Sequence, residues 1–315
     1  LRSSTAAPCR VEGRDPRLDA FRRFNEQGGK FRVAVVNACN LDCFFCHNEG
    51  MANPRREAPE DGARRASASK ASLEVLLGLT NAFARLGGRQ VNVTGGEPLL
   101  HPGLPDFLRG IDRSRGTRIV LNTNALEIAP LLAAPLPVDS IFASLHTTDE
   151  SVFARDLVAL ARPSDRAGAK NARRVMDNLV RLKRAGYDVQ INYSLGPHNQ
   201  TGFPEVLDFA IASGIGLKVI ALVRHTSADG FYGGAWVDPE WIAAQLGSRG
   251  AIRTGEGLAL GGHTTTWLAG EVPVKVKNVA RGRLRTSYCD GCAQASACGE
   301  GIYGLRLGPD GLFKP

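Results

Sequence analysis

Three cysteines fall within eight residues, at Cys39, Cys43 and Cys46, in the stretch "NACNLDCFFCHNEG". Three more, Cys289, Cys292 and Cys298, form a second group, and Cys9 stands alone. An odd, clustered set of seven in a chain of 315 residues does not read as the disulfide framework of a small secreted domain. Clustered thiols of this kind point to metal. The first group has the spacing Cys-x3-Cys-x2-Cys, and three thiolates can hold three corners of a [4Fe–4S] cluster, leaving the fourth iron to a small chelating molecule. Structural zinc is the alternative; it wants four closed ligands, and His47 would have to supply the last, although adjacent Cys46 and His47 converge poorly on one ion. The second group, Cys-x2-Cys-x5-Cys, suits zinc or a further iron–sulfur cluster.

Such groups need a frame. "FRVAVVNA" (31–38) is a β-branched apolar run that reads as a buried strand ending at the first cysteine. "QVNVTG", "RIVLNTN", "SIFASLH", "VQINYSL" and "LKVIALV" follow as five more strands, separated by helical sequence. Ser72 is a plausible N-cap for a helix with Leu73, Leu76, Leu77, Phe83 and Leu86 along one face. Val175, Leu179 and Leu182 stand at i, i+4 and i+7 in another. Residues 52–70, rich in Pro, Gly, Ser and charge, read as a surface loop. Six alternating units imply parallel βα crossovers in an open or partial barrel, with the active site at the C-terminal ends of the strands. After Arg224 the alternation stops. "TTTWLAG" and "VPVKVKNV" look like an antiparallel pair around Gly270, and "GIYGLRLGPDGLF" like a hairpin with a Pro-Asp-Gly turn. The expected architecture is α/β: an N-terminal extension (1–30), a partial (β/α)6 barrel (31–230) and a small C-terminal β-rich, cluster-bearing domain (231–315).

"CNLDCFFC" matches the CxxxCxΦC signature of the radical S-adenosylmethionine (SAM) enzymes, with Phe45 at the aromatic position. "TGGEPLLHPGLPDFL" (94–108) resembles that family's second-strand motif and "LNTNA" (121–125) its third-strand motif. "INYSLGPHNQTGFPEVLDFAIASGIGLKVIALV" is similar to the fifth-to-sixth-strand segment of the molybdenum-cofactor GTP cyclase branch. The resemblance implies that Cys39, Cys43 and Cys46 ligate a [4Fe–4S] cluster. It implies that Gly95, Gly96, Glu97 and Pro98 take the methionine end of SAM, with Glu97 near the amino group. Asn124 and Ser144 would contact ribose or carboxylate, unless they only cap the segments that follow them. The main chain at Phe45 and the residues near Leu222 would flank adenine. Reductive cleavage of SAM would then yield a 5′-deoxyadenosyl radical that abstracts hydrogen from substrate, with a reductant such as flavodoxin or ferredoxin.

The second cysteine group resembles the C-terminal extensions of SPASM or twitch type, which bind an auxiliary [4Fe–4S] cluster. Here the third cysteine precedes the hairpin, whereas in the GTP cyclases it follows it. In relatives a cysteine often follows Lys-Pro at the hairpin's end, so a fourth ligand beyond Pro315 stays open. Three ligands would leave an iron for substrate; four would favour electron transfer or structure.

A net charge of +8 favours an anionic partner. Lys275, Lys277, Arg281, Arg283 and Arg285 lie between the two cysteine groups, either as a solvated strand face or as a clamp for phosphate or carboxylate. Lys218, Arg224 and Arg306 are further anion-binding candidates. His146, Tyr193 and His225 are the candidate proton donors or relays, with purely local hydrogen bonding as the alternative for the histidines. The sequence has no stretch long and apolar enough to span a membrane, and the expected compartment is the cytoplasm. The reading favoured is an enzyme acting on a small anionic molecule, such as a nucleotide, with no membrane or nucleic-acid partner. A maturase acting on a ribosomal peptide or protein side chain is the alternative, and a non-catalytic iron–sulfur or zinc-ribbon protein the third.

Overall fold

The computed structural model describes residues 15–43, 45–46, 71–157, 171–222, 236–282, 284–285, 289–292 and 304–314. Eleven strands form one sheet: β1 (Lys30–Ala34), β2 (Gln90–Thr94), β3 (Arg118–Thr123), β4 (Ser140–Ser144), β5 (Val189–Leu195), β6 (Gly216–Ala221), β7 (Ile252–Ala259), β8 (Gly262–Ala269), β9 (Val272–Asn278), β10 (Gly304–Leu307) and β11 (Phe313–Lys314). The helices are α1 (Pro16–Glu26), α2 (Leu73–Arg85), α3 (Leu104–Gly110), α4 (Ala129–Ala133), α5 (Glu150–Leu157), α6 (Asn171–Arg184), α7 (Phe203–Ser213) and α8 (Pro239–Ser248). The strand order is β11-β10-β1-β2-β3-β4-β5-β6-β9-β8-β7. Strands β1 to β6 run parallel in chain order, as the alternation requires. The sheet continues at both ends: β10 pairs in parallel with β1, and β9 in parallel with β6. The antiparallel pair expected around Gly270 is present as β8 and β9, and the C-terminal hairpin as β10 and β11. Strand β7, paired antiparallel with β8, had no counterpart in the sequence reading.

Alternation along each strand sorts the two faces. Phe31 and Val33, Val91 and Val93, Ile119 and Leu121, Ile191 and Tyr193, and Leu217 and Val219 are buried toward the helices. The helices supply matching stripes: Ser72 caps α2 through Val75 N, and Val175, Leu179 and Leu182 of α6 are fully buried. Each such side chain contributes about 1.5–3 kcal/mol on burial. Leu86, expected on the buried face of α2, stands exposed just past the helix end. The other sheet face carries the even-numbered residues of β1 to β6 and encloses a cavity of about 650 Å3. Residues of β1 and of β9 line that same space, so the sheet curls into a partial barrel. The gap between its ends is narrowed by the β7–β8 turn, where Leu260 N donates to Gln27 O at 3.2 Å beside Gly28.

Candidate active site

The cysteine loop starts one step beyond β1 and is tied to its neighbours by the main chain. Gly96 N donates to Val36 O at 2.7 Å and Glu97 N to Ala38 O at 2.9 Å, so the Gly-Gly loop after β2 lies directly on the segment leading to Cys39. A Cβ on Gly95 would sit 2.4 Å from Val36 O, and one on Gly96 2.3 Å from Ala38 O. Both glycines line the cavity, but the close backbone approach they permit here is to the cysteine loop itself. The loop is further anchored by Asp42 N on Leu157 O and by Phe45, whose ring lies edge-on to His146 and stacks on His198.

Cys39, Cys43 and Cys46 all face the cavity mouth. Burial, followed by the charges of Cys46 and Cys39, pushes the Cys43 thiol well up. Three thiolates facing one space are therefore strained until cationic metal neutralises them. Among the described residues no three His, Cys, Asp or Glu side chains converge on a single-ion site. A polynuclear cluster asks less of the donors, since each thiolate takes a separate corner and the three need only face a common space. The donor set fits such a cluster better than one zinc ion.

Asn124 closes the site from β3: its Nδ2 donates to Asn40 Oδ1 at 2.7 Å and lies 3.8 Å from Cys39 Sγ. Glu97 holds Asn124 in place. Its carboxylate accepts from Asn124 N at 2.7 Å, Thr123 Oγ1 at 2.8 Å and Leu99 N at 3.0 Å. Glu97 and Pro98 are buried and absent from the cavity lining, so Glu97 braces two strand ends where the sequence reading placed it beside an amino group. Burial outweighs the three bonds and raises its pKa to about 7.

The structure brings Phe45, Gly95, Gly96, Asn124, Ser144, His146, Lys218, Leu222, Lys275 and Lys277 together around the cavity with the three cysteines. His146 Nδ1 accepts from Ser194 N at 3.1 Å, and burial, then His198, lowers its pKa to about 3. It is a neutral imidazole. Tyr193 is a correction: it points to the helix side of β5, fully buried against Phe203, and its hydroxyl donates to Asn199 O. The strand's alternation explains this, because Asn192 and Ser194 take the cavity face. Arg281 is another correction: it pairs with Glu240 of α8 at 3.0 Å, away from the cavity. Arg306 is the register partner of Arg32 on β10 and does not line the cavity. Cys289 and Cys292 are thiols in a short turn and do not line it either. Arg224, His225, Arg283 and Cys298, like Cys9 and His47, lie outside the described residues.

Lys30, Arg32, Arg118, Asn92, Asn122, Gln190 and Asn192 also line the cavity and were missed. Their signal was available. Strands of a parallel sheet covered on both faces read as continuous apolar runs, whereas "KFRVA", "QVNVT" and "VQINYSL" place a polar residue at every second position.

Fold and site together define an α/β partial-barrel protein with a three-thiol rim over a cavity whose wall carries several cationic side chains. Residues 33–210 match the Radical SAM superfamily, and the chain belongs to that superfamily. Membership implies SAM and a [4Fe–4S] cluster. Among curated proteins the chain is 29% identical over 208 residues to a probable GTP 3′,8-cyclase of Archaeoglobus fulgidus, covering 64% of this chain and 62% of that protein. It is 26% identical over 284 residues to the GTP 3′,8-cyclase of Rhodococcus opacus, covering 89% and 75%. A probable GTP 3′,8-cyclase of Sulfolobus acidocaldarius is matched over 52% of its length, so the chain spans about half to three quarters of these relatives. In fold it resembles Streptococcus suis SuiB bound to S-adenosylmethionine, with a TM-score of 0.57 at 15% identity over 90% of this chain and 59% of that one. It also resembles native anSMEcpe with bound AdoMet, with a TM-score of 0.52 at 12% identity over 91% and 74%. No helix among the described residues is long and apolar enough to cross a membrane.

Proposed function

We propose that this chain is a radical SAM enzyme acting on a small anionic substrate, a nucleotide or a related phosphorylated intermediate. The observation that carries the reading is one cavity of about 650 Å3 lined at its mouth by three cysteines and along its wall by Lys30, Arg32, Lys218, Lys275 and Lys277. Its volume suits a small molecule. Cys39, Cys43 and Cys46 would hold the [4Fe–4S] cluster, with SAM against Gly95, Gly96, Asn124, Ser144 and Leu222. When bound, the pair supplies a 5′-deoxyadenosyl radical by reductive cleavage of SAM.

This chain's own residues do the rest. Asn124, fixed by Glu97 and Asn40, shapes the mouth. Neutral His146 offers Nε2–H as a donor, since its Nδ1 is occupied by Ser194 N. The cationic wall orients the substrate's anionic group, and the β7–β8 turn limits water entry through the side. Residues 231–315 form the auxiliary-cluster region, with Cys289, Cys292 and Cys298 as ligands of a second [4Fe–4S] cluster. A flavodoxin or ferredoxin in the cytoplasm supplies the electron.

The test is anaerobic reconstitution followed by iron counting and incubation with dithionite and SAM. Iron and acid-labile sulfide for two clusters, and 5′-deoxyadenosine whose formation is raised by nucleotides, are the expected results. No cleavage of SAM overturns the enzymatic reading. Cleavage stimulated by a leader peptide and indifferent to nucleotides overturns the substrate class.

A further inference from the structure

The cavity wall gathers like charges from several strands. Lys30 and Arg32 share the inner face of β1, Lys218 stands on β6, and Lys275 and Lys277 on β9; Arg118 joins them from β3. Lys218 and Lys275 are direct register partners, an arrangement in which like charges destabilise a sheet. Arg306 is placed the same way beside Arg32. The one carboxylate among the described lining residues is Asp188, which accepts from Ser140 Oγ at 2.6 Å. The other titratable groups on the lining stand at the mouth: Cys39, Cys43 and Cys46, whose thiolate charge the cluster's iron would largely neutralise, and His146, a neutral imidazole. Among the described residues Lys30, Lys218 and Lys275 have no ion pair; Lys218 Nζ lies over the Phe142 ring, 5.4 Å from its centroid.

We propose that these lysines form an anion site that takes its ligand together with protons: a tetrahedral dianion, phosphate- or sulfate-like, enters as Lys30 and Lys218 gain charge. The inference deepens the small-anionic-substrate reading and rests on it. Lys30 and Lys218 are half-buried, and an ammonium partly withdrawn from water without a partner holds its proton less firmly, while an anion there without a partner is also disfavoured, so the two neutralise each other best when proton and anion arrive together. The direction of titration agrees. Burial, then Arg32 and Lys275, lowers Lys30 to about 8. Burial, then Lys30, Lys277, Arg32 and Lys275, puts Lys218 well below its usual value. The protons come from the bulk solution onto the lysine amines, and no covalent bond to the ligand forms or breaks. Below about pH 8 Lys30 is already charged; above it each bound anion must bring a proton, so affinity falls as pH rises.

The experiment is titration calorimetry of the reconstituted full chain with inorganic sulfate, an anion that carries no titratable proton near neutrality. It is run at about pH 8 in buffers of different ionisation enthalpy. The expected result is an observed enthalpy that changes with buffer, corresponding to uptake of about half a proton or more per sulfate. The Kd should rise by up to about tenfold per pH unit above that point. Lys30→Gln and, independently, Lys218→Gln should each reduce the uptake. Binding with no buffer dependence overturns the proton coupling and leaves the anionic-substrate reading standing. Absence of sulfate binding, with phosphate and pyrophosphate equally inert, overturns the anion site and that reading with it.

Discussion

Glu97 shows how a motif residue works by bracing. Its carboxylate collects three donors at the meeting point of β2 and β3, and yet burial keeps its pKa raised to about 7. The unfolded chain loses that proton near pH 4.5. Through the window between the two values the folded chain holds a proton that the unfolded chain lacks, so stability falls as pH rises. About 2.5 pH units at about 1.4 kcal/mol each makes the loss about 3.5 kcal/mol. Urea unfolding at about pH 5 and about pH 7.5 should show this slope, and Glu97→Gln should flatten it. An unchanged slope in the variant would assign the titration to another group. Tyr193 makes the complementary case. With its hydroxyl spent on Asn199 O behind the sheet, Tyr193→Phe should cost about 1 kcal/mol and leave 5′-deoxyadenosine formation intact. A large fall in that rate with unchanged stability would return Tyr193 to the reaction.

At the scale of elements, the loops after β1, β2 and β3 form one unit. The Gly-Gly loop lies on the main chain ahead of Cys39, and Asn124 reaches from β3 to Asn40. Gly96→Ala would drive a Cβ to 2.3 Å from Ala38 O and force the loops apart. Such overpacking costs about 1–3 kcal/mol. The expected readout is a lower Tm with a reduced iron count per reconstituted chain; normal iron content would separate the loop contact from cysteine positioning. The strands that carry this unit were legible because each is a compact β-branched run bounded by turn residues, and the cysteine, Gly-Gly-Glu-Pro and Asn-Thr-Asn stretches fall at their ends. The cavity wall was less so. Reading β1 from Phe31 left out Lys30, and reading its run as a buried strand hid Arg32. The fates of Tyr193 and Arg281 turned on strand register and on a partner, Glu240, that local pattern does not reveal.

At the scale of the molecule, the features that convert an open sheet into a chamber are long-range and could not be read locally. Strand β9 joins β6 across more than fifty residues, β10 joins β1 from the far end of the chain, and the β7–β8 turn meets the turn before β1. Leu260 is fully buried at that meeting, its side chain packing the junction while its N–H donates to Gln27 O. Leu260→Ala keeps the backbone bond but empties the contact, at a cost of about 2–5 kcal/mol. A radical formed inside needs a closed wall, because small hydrogen donors carried in by solvent, thiols among them, would quench it ahead of substrate. In deuterated buffer containing an added small thiol, whose exchangeable S–D can donate to a carbon radical where water's O–D cannot, the variant should therefore place more deuterium in 5′-deoxyadenosine than the parent does, at equal SAM cleavage. If the variant loses stability while deuterium incorporation stays at the parental level, the turn serves folding alone and the chamber is kept closed from another side.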